Sequence, residues 1–417
     1  MHHTGRNIHK ILPPAGIVII ILFTLLSGAC RSGKQQAGDS PGTDPAERLQ
    51  EASAEKQATG NKGETGLLPG IDFPFYKLKQ PVPPHSELKE ENYDTWGGSM
   101  IRSDDGRYHL YYSRWPKEGG HISWVVNSEV AHAVADDPLG PYTFKEVALP
   151  ARGKEYWDGM MTHNPTVHKF GDTYYLYYIG TRGDGKPYYT KTNEQGKTVR
   201  SINYSHRNNQ RIGVAVAEDA GGPWKRFDEP LIDVSPDSLA NDNLIVVNPS
   251  VARRPDGKYV LVYKAATKDY SKESLAGPVI HRVALADDPA GPFEKQPGVL
   301  FDAEEEFFPA EDPYIWYQGD RFLAIVKDMK GAFTDAGRAL VLFESEDGTE
   351  WSLAPHPLAS RRQVTHSDGS VTEFRRLERP QIWFSNGKPA VLFVAVLKGN
   401  ESYNIHIPLE TDYTTFR

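Results

Sequence analysis

The sequence predicts an all-β chain, a five-bladed β-propeller of four-stranded antiparallel blades whose ring is closed by an N-terminal strand. Three observations carry that reading. Five β-rich runs begin with matching punctuation: Gly97-Gly98-Ser99-Met100-Ile101, Asn164-Pro165-Thr166-Val167, Asn248-Pro249-Ser250-Val251, Asp312-Pro313-Tyr314-Ile315 and Arg379-Pro380-Gln381-Ile382. These openings fall 67, 84, 64 and 67 residues apart, and self-similarity at such a period marks a radially repeated fold. Each run leads to a turn signal (Asp105-Gly106, Gly171-Asp172, Asp256-Gly257, Gly319-Asp320, Asn386-Gly387) and then to a second β-rich run, YHLYYS, YYLYYI, YVLVYK, FLAIVK or AVLFVA. That is the pattern of hairpin-joined strands.

The remainder of each repeat completes a blade. AVADDPLGPY (133–142), AVAEDAGGPW (215–224) and ALADDPAGPF (284–293) are near copies, and FESEDGTEW (343–351) is a looser fourth. Each places a turn between a third strand and a fourth led by an aromatic residue. Unrelated hairpins of a β-sandwich would not repeat one phrase at one place in the repeat. Blade five has a single recognisable later strand over 403–409. Its missing edge is expected from residues 73–78, which would close the ring through main-chain hydrogen bonds and remove an exposed edge.

The first 66 residues are of another kind. A basic start (Arg6, Lys10), an apolar run over 17–26 and Ser27-Gly28-Ala29-Cys30 read as a secretory leader, too short for a membrane span. The leader resembles a bacterial lipoprotein signal, with its leucine one place early at Leu26. That resemblance implies lipid attachment at Cys30, export, and anchoring to a bacterial membrane on its periplasmic or cell-surface face. Cys30 is the only cysteine, so no intrachain disulfide is available and the fold relies on packing. Residues 31–66 read as a flexible polar tether, and 67–417 as the propeller, a monomer.

At 11% aromatic and 24% charged residues the composition is that of an ordinary globular protein. A formal net charge of -8 without a basic stripe argues against a nucleic-acid partner. The chain has no P-loop, no dinucleotide-binding glycine pattern and no Cys or His pair at metal-ligand spacing, so neither cofactor nor metal is expected.

The Asp-Pro and Asn-Pro openings, tyrosine-rich second strands and Asp-Asp-Pro-x-Gly-Pro turns resemble the five-bladed glycoside hydrolases of families 43 and 117, relatives of families 32 and 130. The resemblance spans nearly all of residues 70 to 410. It implies innermost strands lining a central funnel, acids near their starts meeting around a sugar, and a glycan substrate. Glycoside hydrolysis uses two carboxyl groups, one protonated and one ionised. The family 43 acid stands in a Glu-Gly-Pro opening; here Ala310-Glu311-Asp312-Pro313 makes Glu311 the candidate acid and replaces the glycine with Asp312. Adjacent strand residues point to opposite faces, so one of the two carboxylates is expected in the funnel and the other between blades. Glu378, in Leu377-Glu378-Arg379-Pro380, repeats the arrangement. A strand-end carboxylate bonded to backbone amides is the competing role for both glutamates.

The family's blade-one Asp-Pro, which supplies the base, is here Gly97-Gly98, so a base must come from elsewhere. Six residues before each opening stand Glu91, Asp158, Asp242, Glu306 and Glu373. Asp158, beside Trp157 and close to His163 and Asn164, is the first candidate and Asp242 the second, with turn formation as the alternative. Aligned second strands put Ser113, Ile179, Lys264, Lys327 and Val394 at one blade position. Lysines there are costly to bury without an anion. With Arg379 and Arg338 they either neutralise Glu311, Asp312 and Glu378 or bind a uronate, sulfate or phosphate. Trp96, Trp115, Trp124 and Trp157 are candidates for stacking on a sugar, and Asn248 for the funnel wall. The resulting expectation is an exo-acting glycosidase that removes a terminal sugar. A family 130-like phosphorylase and a non-catalytic glycan-binding lipoprotein are the alternatives.

Overall fold

A computed structural model describes residues 72–268 and 277–413. The leader, Cys30 and the tether lie outside the described residues. Five four-stranded antiparallel sheets follow one another along the chain as the blades of a propeller. Blade one comprises Tyr93–Arg102, Tyr108–Pro116, Glu129–Ala135 and Thr143–Leu149. Blade two comprises Met161–Phe170, Thr173–Thr181, Arg211–Ala217 and Lys225–Arg226. Blade three comprises Ile245–Arg253, Tyr259–Ala266, Val279–Ala286 and Glu294–Lys295. Blade four comprises Ala310–Gln318, Arg321–Asp328, Ala339–Ser345 and Ser352–Ser360. Blade five contributes Arg376–Ser385, Lys388–Lys398 and Glu401–Pro408 and borrows its fourth strand from Glu87–Leu88.

An N-terminal strand therefore does close the ring, but not the one expected. Glu87 and Leu88 pair with Ile405 and Asn404. Phe75–Leu78 is instead a 3-10 turn, and Phe75 and Leu78 are buried in the core of blades four and five. Phe73 and Phe75 alternate as in a strand, but Phe75 and Leu78 stand three apart, on one side of a three-residue turn. Pro74, Pro81, Pro83 and Pro84 also withhold the donors a ladder needs.

The five supposed strand openings lie inside the innermost strands. Each ladder slips at the same place: between Trp96 and Ser99, His163 and Thr166, Val247 and Ser250, Glu311 and Tyr314, and Glu378 and Gln381. The first skipped residue of each is left-handed, with φ of 58° at Gly97, 51° at Asn164, 55° at Asn248, 55° at Asp312 and 54° at Arg379. Proline cannot donate to a ladder and is tolerated in a sheet at bulges. Glycine, asparagine and aspartate accept positive φ most readily, so local chemistry accounts for four of the five positions.

The copied turn phrases and the tyrosine-rich strands interlock neighbouring blades. The Tyr111 hydroxyl of blade one donates to the Ala220 carbonyl in the turn of blade two. Tyr177 of blade two does the same to Pro289 of blade three, at 2.7 Å. Between blades lie apolar cores into which several histidines are also packed. Burial lowers His132, His168 and His406 to about 4 and His281 to about 3. The unfolded chain, with histidines near 6.5, binds more protons below that pH, so this part of the stability is complete above 6.5 and is lost as pH falls through about 4. Calorimetry should show the melting temperature dropping steadily from pH 6.5 to 4; a flat profile across that window would refute the coupling.

Candidate active site

Around the axis the left-handed residues touch in sequence. Asn164 Nδ2 donates to Asn248 Oδ1 at 3.0 Å, and Asn248 Nδ2 donates to Asp312 Oδ1 at 2.5 Å. Arg379 Nη1 lies 3.7 Å from the same Asp312 oxygen, and Nη2 donates to the Asn164 carbonyl at 3.4 Å. Arg379 is buried and lies over Gly97, where an added Cβ would come within 3.3 Å of Nε. These contacts hold an arginine in a backbone conformation that otherwise costs of order 1–3 kcal/mol.

Above this ring is a pocket with about 510 Å³ of empty space, counted out to solvent. Glu311, Asp312 and Glu378 all line it. The expectation that Glu311 and Asp312 face opposite ways fails because Asp312 occupies the bulge, where strict alternation lapses. Lys264 bonds Glu311, and Lys327 bridges Glu311 at 2.9 Å and Glu378 at 2.6 Å. The two lysines thus neutralise carboxylates, the first of the two roles open to them, and neither is left without an anion. Burial would raise Glu311, but the two ammonium groups outweigh it and hold the carboxyl well below its usual range. Asp312 moves the other way, to about 6, through burial and the charge of Glu311, against the pull of Arg379. The same burial would lower Lys327, yet Glu311 and Glu378 keep it above its ordinary value. One oxygen from each of the three carboxylates falls within 4.8 Å of the others, a spacing compatible with a metal ion. The Lys327 ammonium already bridges two of the three, which disfavours a cation there.

The other side of the pocket is aromatic. Trp96 and Trp115 come from blade one and are nearly enclosed. Trp124, from the short helix Trp124–Asn127, is half-buried and stacks on His163 with ring centroids 4.5 Å apart. Trp124 is therefore the indole best exposed to a sugar. His163 bonds Ser128 Oγ at 2.7 Å, and burial together with Arg379 lowers it far enough to keep it neutral. Asn164 and Asn248 form part of the lining.

Several expected site residues stand elsewhere. Asp158 is buried under Tyr178 (2.6 Å), Arg152 (2.6 Å) and Arg226 (3.4 Å), and does not line the pocket. Asp242 repeats this clasp in blade three with Tyr263 at 3.2 Å and Lys295 at 2.7 Å. Asp158 and Asp242 thus tie the entry of an inner strand to the second and fourth strands of its own blade. Trp157 stacks on Tyr178 beside that clasp. Arg338 is exposed and donates to the Met329 carbonyl. Conversely, the pocket contains His121, Arg207, Gln210 and Arg376, none of which was anticipated. The one signal for Arg207 and Gln210 was the 84-residue gap between the second and third repeats, whose extra length is the insertion over 182–210.

Solved structures with this architecture include a glycoside hydrolase similar at 13% identity and a TM-score of 0.56, over 88% of this chain and 96% of that one. An α-L-arabinofuranosidase from Lactobacillus brevis is similar at 11% identity and a TM-score of 0.51, over 79% and 92%. A family 117 glycoside hydrolase of the marine bacterium Zobellia galactanivorans is similar at 17% identity and 0.50, over 76% and 84%. The fold is that of the five-bladed glycoside hydrolases. No family model matches the sequence, and no curated protein matches it. Compared with the family 43 pattern, this glycoside hydrolase-like propeller has Gly97, covered by Arg379, where that family places its base.

Because Lys327 is buried between two carboxylates, replacing it with methionine leaves both without their shared partner. Lys327→Met should destabilise the protein by about 3–5 kcal/mol, measured by urea unfolding. A loss below about 1 kcal/mol, the size of a surface ion pair, would mean the cluster is open to water.

Proposed function

We propose that the chain is an exo-acting glycoside hydrolase that removes one terminal sugar from a poly- or oligosaccharide. The observation carrying this reading is a pair of carboxyl groups at the pocket floor under opposite electrostatic pressure. Glu311 is held ionised by Lys264 and Lys327, while Asp312 is raised to about 6. Carboxyls driven apart in this way divide the work of glycoside hydrolysis, the ionised one attacking the sugar or activating water and the protonated one assisting the leaving oxygen. Glu311, first expected to be the acid, is on this reading the base or nucleophile, and Asp312 is the acid. Trp124 offers a ring face against which a pyranose or furanose stacks, and a pocket at the bottom of a propeller funnel favours chain ends.

Asp312→Asn should lower turnover of unactivated oligosaccharides by a factor of about 10² to 10⁴. The loss should be much smaller on an aryl glycoside whose leaving group needs no proton. In the wild type kcat/KM should fall as pH rises through about 6, since Asp312 must carry its proton. Equal losses on both substrates would remove Asp312 from the acid role. Gly97 at the family 43 base position favours a second reading, a glycan-binding protein without turnover, and a panel of plant and algal oligosaccharides that bind but are not cleaved would select it. Turnover that requires phosphate would instead indicate a phosphorylase.

We also propose that the protein is exported and anchored through lipid on Cys30. Wild type should take up labelled lipid and partition into membranes, whereas Cys30→Ser should do neither. Equal labelling of the two would refute the anchor.

A further inference from the structure

The insertion over 182–210 runs from the second strand of blade two to its third and places a guanidinium in the pocket. Its short helix Tyr204–Arg207 is capped by Asn203, whose side chain accepts from the amides of Ser205 and His206. Arg207 is 7% exposed and Gln210 is fully buried, yet both line the pocket. Arg207 donates from Nη1 to Gln210 Oε1, and its guanidinium lies 6.0 Å from the centre of the Trp124 ring. Gln210 Nε2 has no acceptor.

The other charges of the pocket are accounted for. Glu311 is held by Lys264 and Lys327, Glu378 by Lys327, and Asp312 faces Arg379. Among the described residues no carboxylate forms an ion pair with Arg207. Burial lowers Arg207 to about 10 against the pull of the Glu311 charge, so it keeps its charge at neutral pH. A buried guanidinium joined to one amide oxygen, beside an amide donor with no acceptor, is expensive unless an anion completes it. Arginine presents several donors in a fixed plane, which matches a carboxylate, sulfate or phosphate.

We propose that Arg207 and the Gln210 amide form an oxyanion-binding subsite at the Trp124 side of the pocket, occupied by an acidic substituent of the terminal sugar. This rests on the reading of the pocket as a glycan site. The same donors would take free inorganic phosphate, so the source of the oxyanion is part of the test. The anionic preference first attached to Lys264 and Lys327 thus belongs to a different residue on a different blade.

The experiment is calorimetric titration of the full-length protein with galacturonate and galactose, glucuronate and glucose, galactose 6-sulfate, and inorganic phosphate. An acidic sugar should bind at least about tenfold more tightly than its neutral parent, the scale of a hydrogen bond to a charged group. Arg207→Met should abolish the preference and Arg207→Lys should retain part of it. Because the methionine removes a buried charge that has no carboxylate in contact, its melting temperature should equal or exceed that of the wild type. Binding of phosphate without preference for any acidic sugar, lost in Arg207→Met, would keep the subsite and assign it to free phosphate. Equal binding of acidic and neutral sugars with no phosphate binding would overturn the proposal while leaving the glycan pocket standing. So would an Arg207→Met protein that melts lower yet keeps the acidic preference. Phosphate binding in the absence of any sugar binding or turnover would count against the glycan reading and not against the subsite.

Discussion

Everything at the centre of this propeller depends on five left-handed bulges meeting around one axis. Inner strands of a closed ring converge, and the contacts between them at the centre are made by bulge residues. A bulge re-aims the residue it displaces. Asn164, Asn248, Asp312 and Arg379 consequently link blade to blade, and Gly97 leaves the space that the guanidinium fills. The same distortion brings Glu311 and Asp312 into one pocket although they are adjacent in sequence. The linking of blades at the axis and the juxtaposition of carboxylates are therefore one structural event.

The second determinant is charge pairing in a dry place. At low effective dielectric a carboxylate and an ammonium in contact interact far more strongly than in water, and an unpaired charge is far more costly. Lys327 bridging Glu311 and Glu378 satisfies that condition and polarises the floor, leaving one acid ionised and its sequence neighbour inclined to keep a proton. Blades three to five supply this charged side, while blade one and its inserted helix supply the indoles. A surface that is aromatic on one side and polar on the other suits a molecule with a C–H face and a rim of hydroxyls.

Much of this was legible in the sequence because it is written in local chemistry. Turn residues, period-two strands and the copied phrases set blade number and strand order, and two of the phrases proved to be docking points for the phenols of neighbouring blades. What could not be read depends on neighbours distant in sequence. The two-residue strand Glu87–Leu88 is too short to carry a pattern, whereas the Phe73 to Leu78 stretch mimics one. An aspartate that clasps a tyrosine and a basic side chain looks, in one dimension, like an aspartate in an active site, and Asp158 and Asp242 were read that way. Lys264 and Lys327 could be placed at the right radius, but their partners lie on other strands. Arg207 belongs to an irregular insertion whose one trace was a long interval between repeats.

The contact between Gly97 and Arg379 limits the evolutionary routes open to the chain. An aspartate at position 97 would tolerate the left-handed backbone better than most residues, but its Cβ would crowd the guanidinium, and its carboxylate would compete with Asp312 for the same cation. Installing an aspartate at position 97 is thus not a single step: residue 379 would have to change with it, because the space above Gly97 is filled by the guanidinium. Such reciprocal dependence separates two branches of one architecture more firmly than any difference at the rim, because it fixes how the centre of the molecule is neutralised before any substrate is chosen.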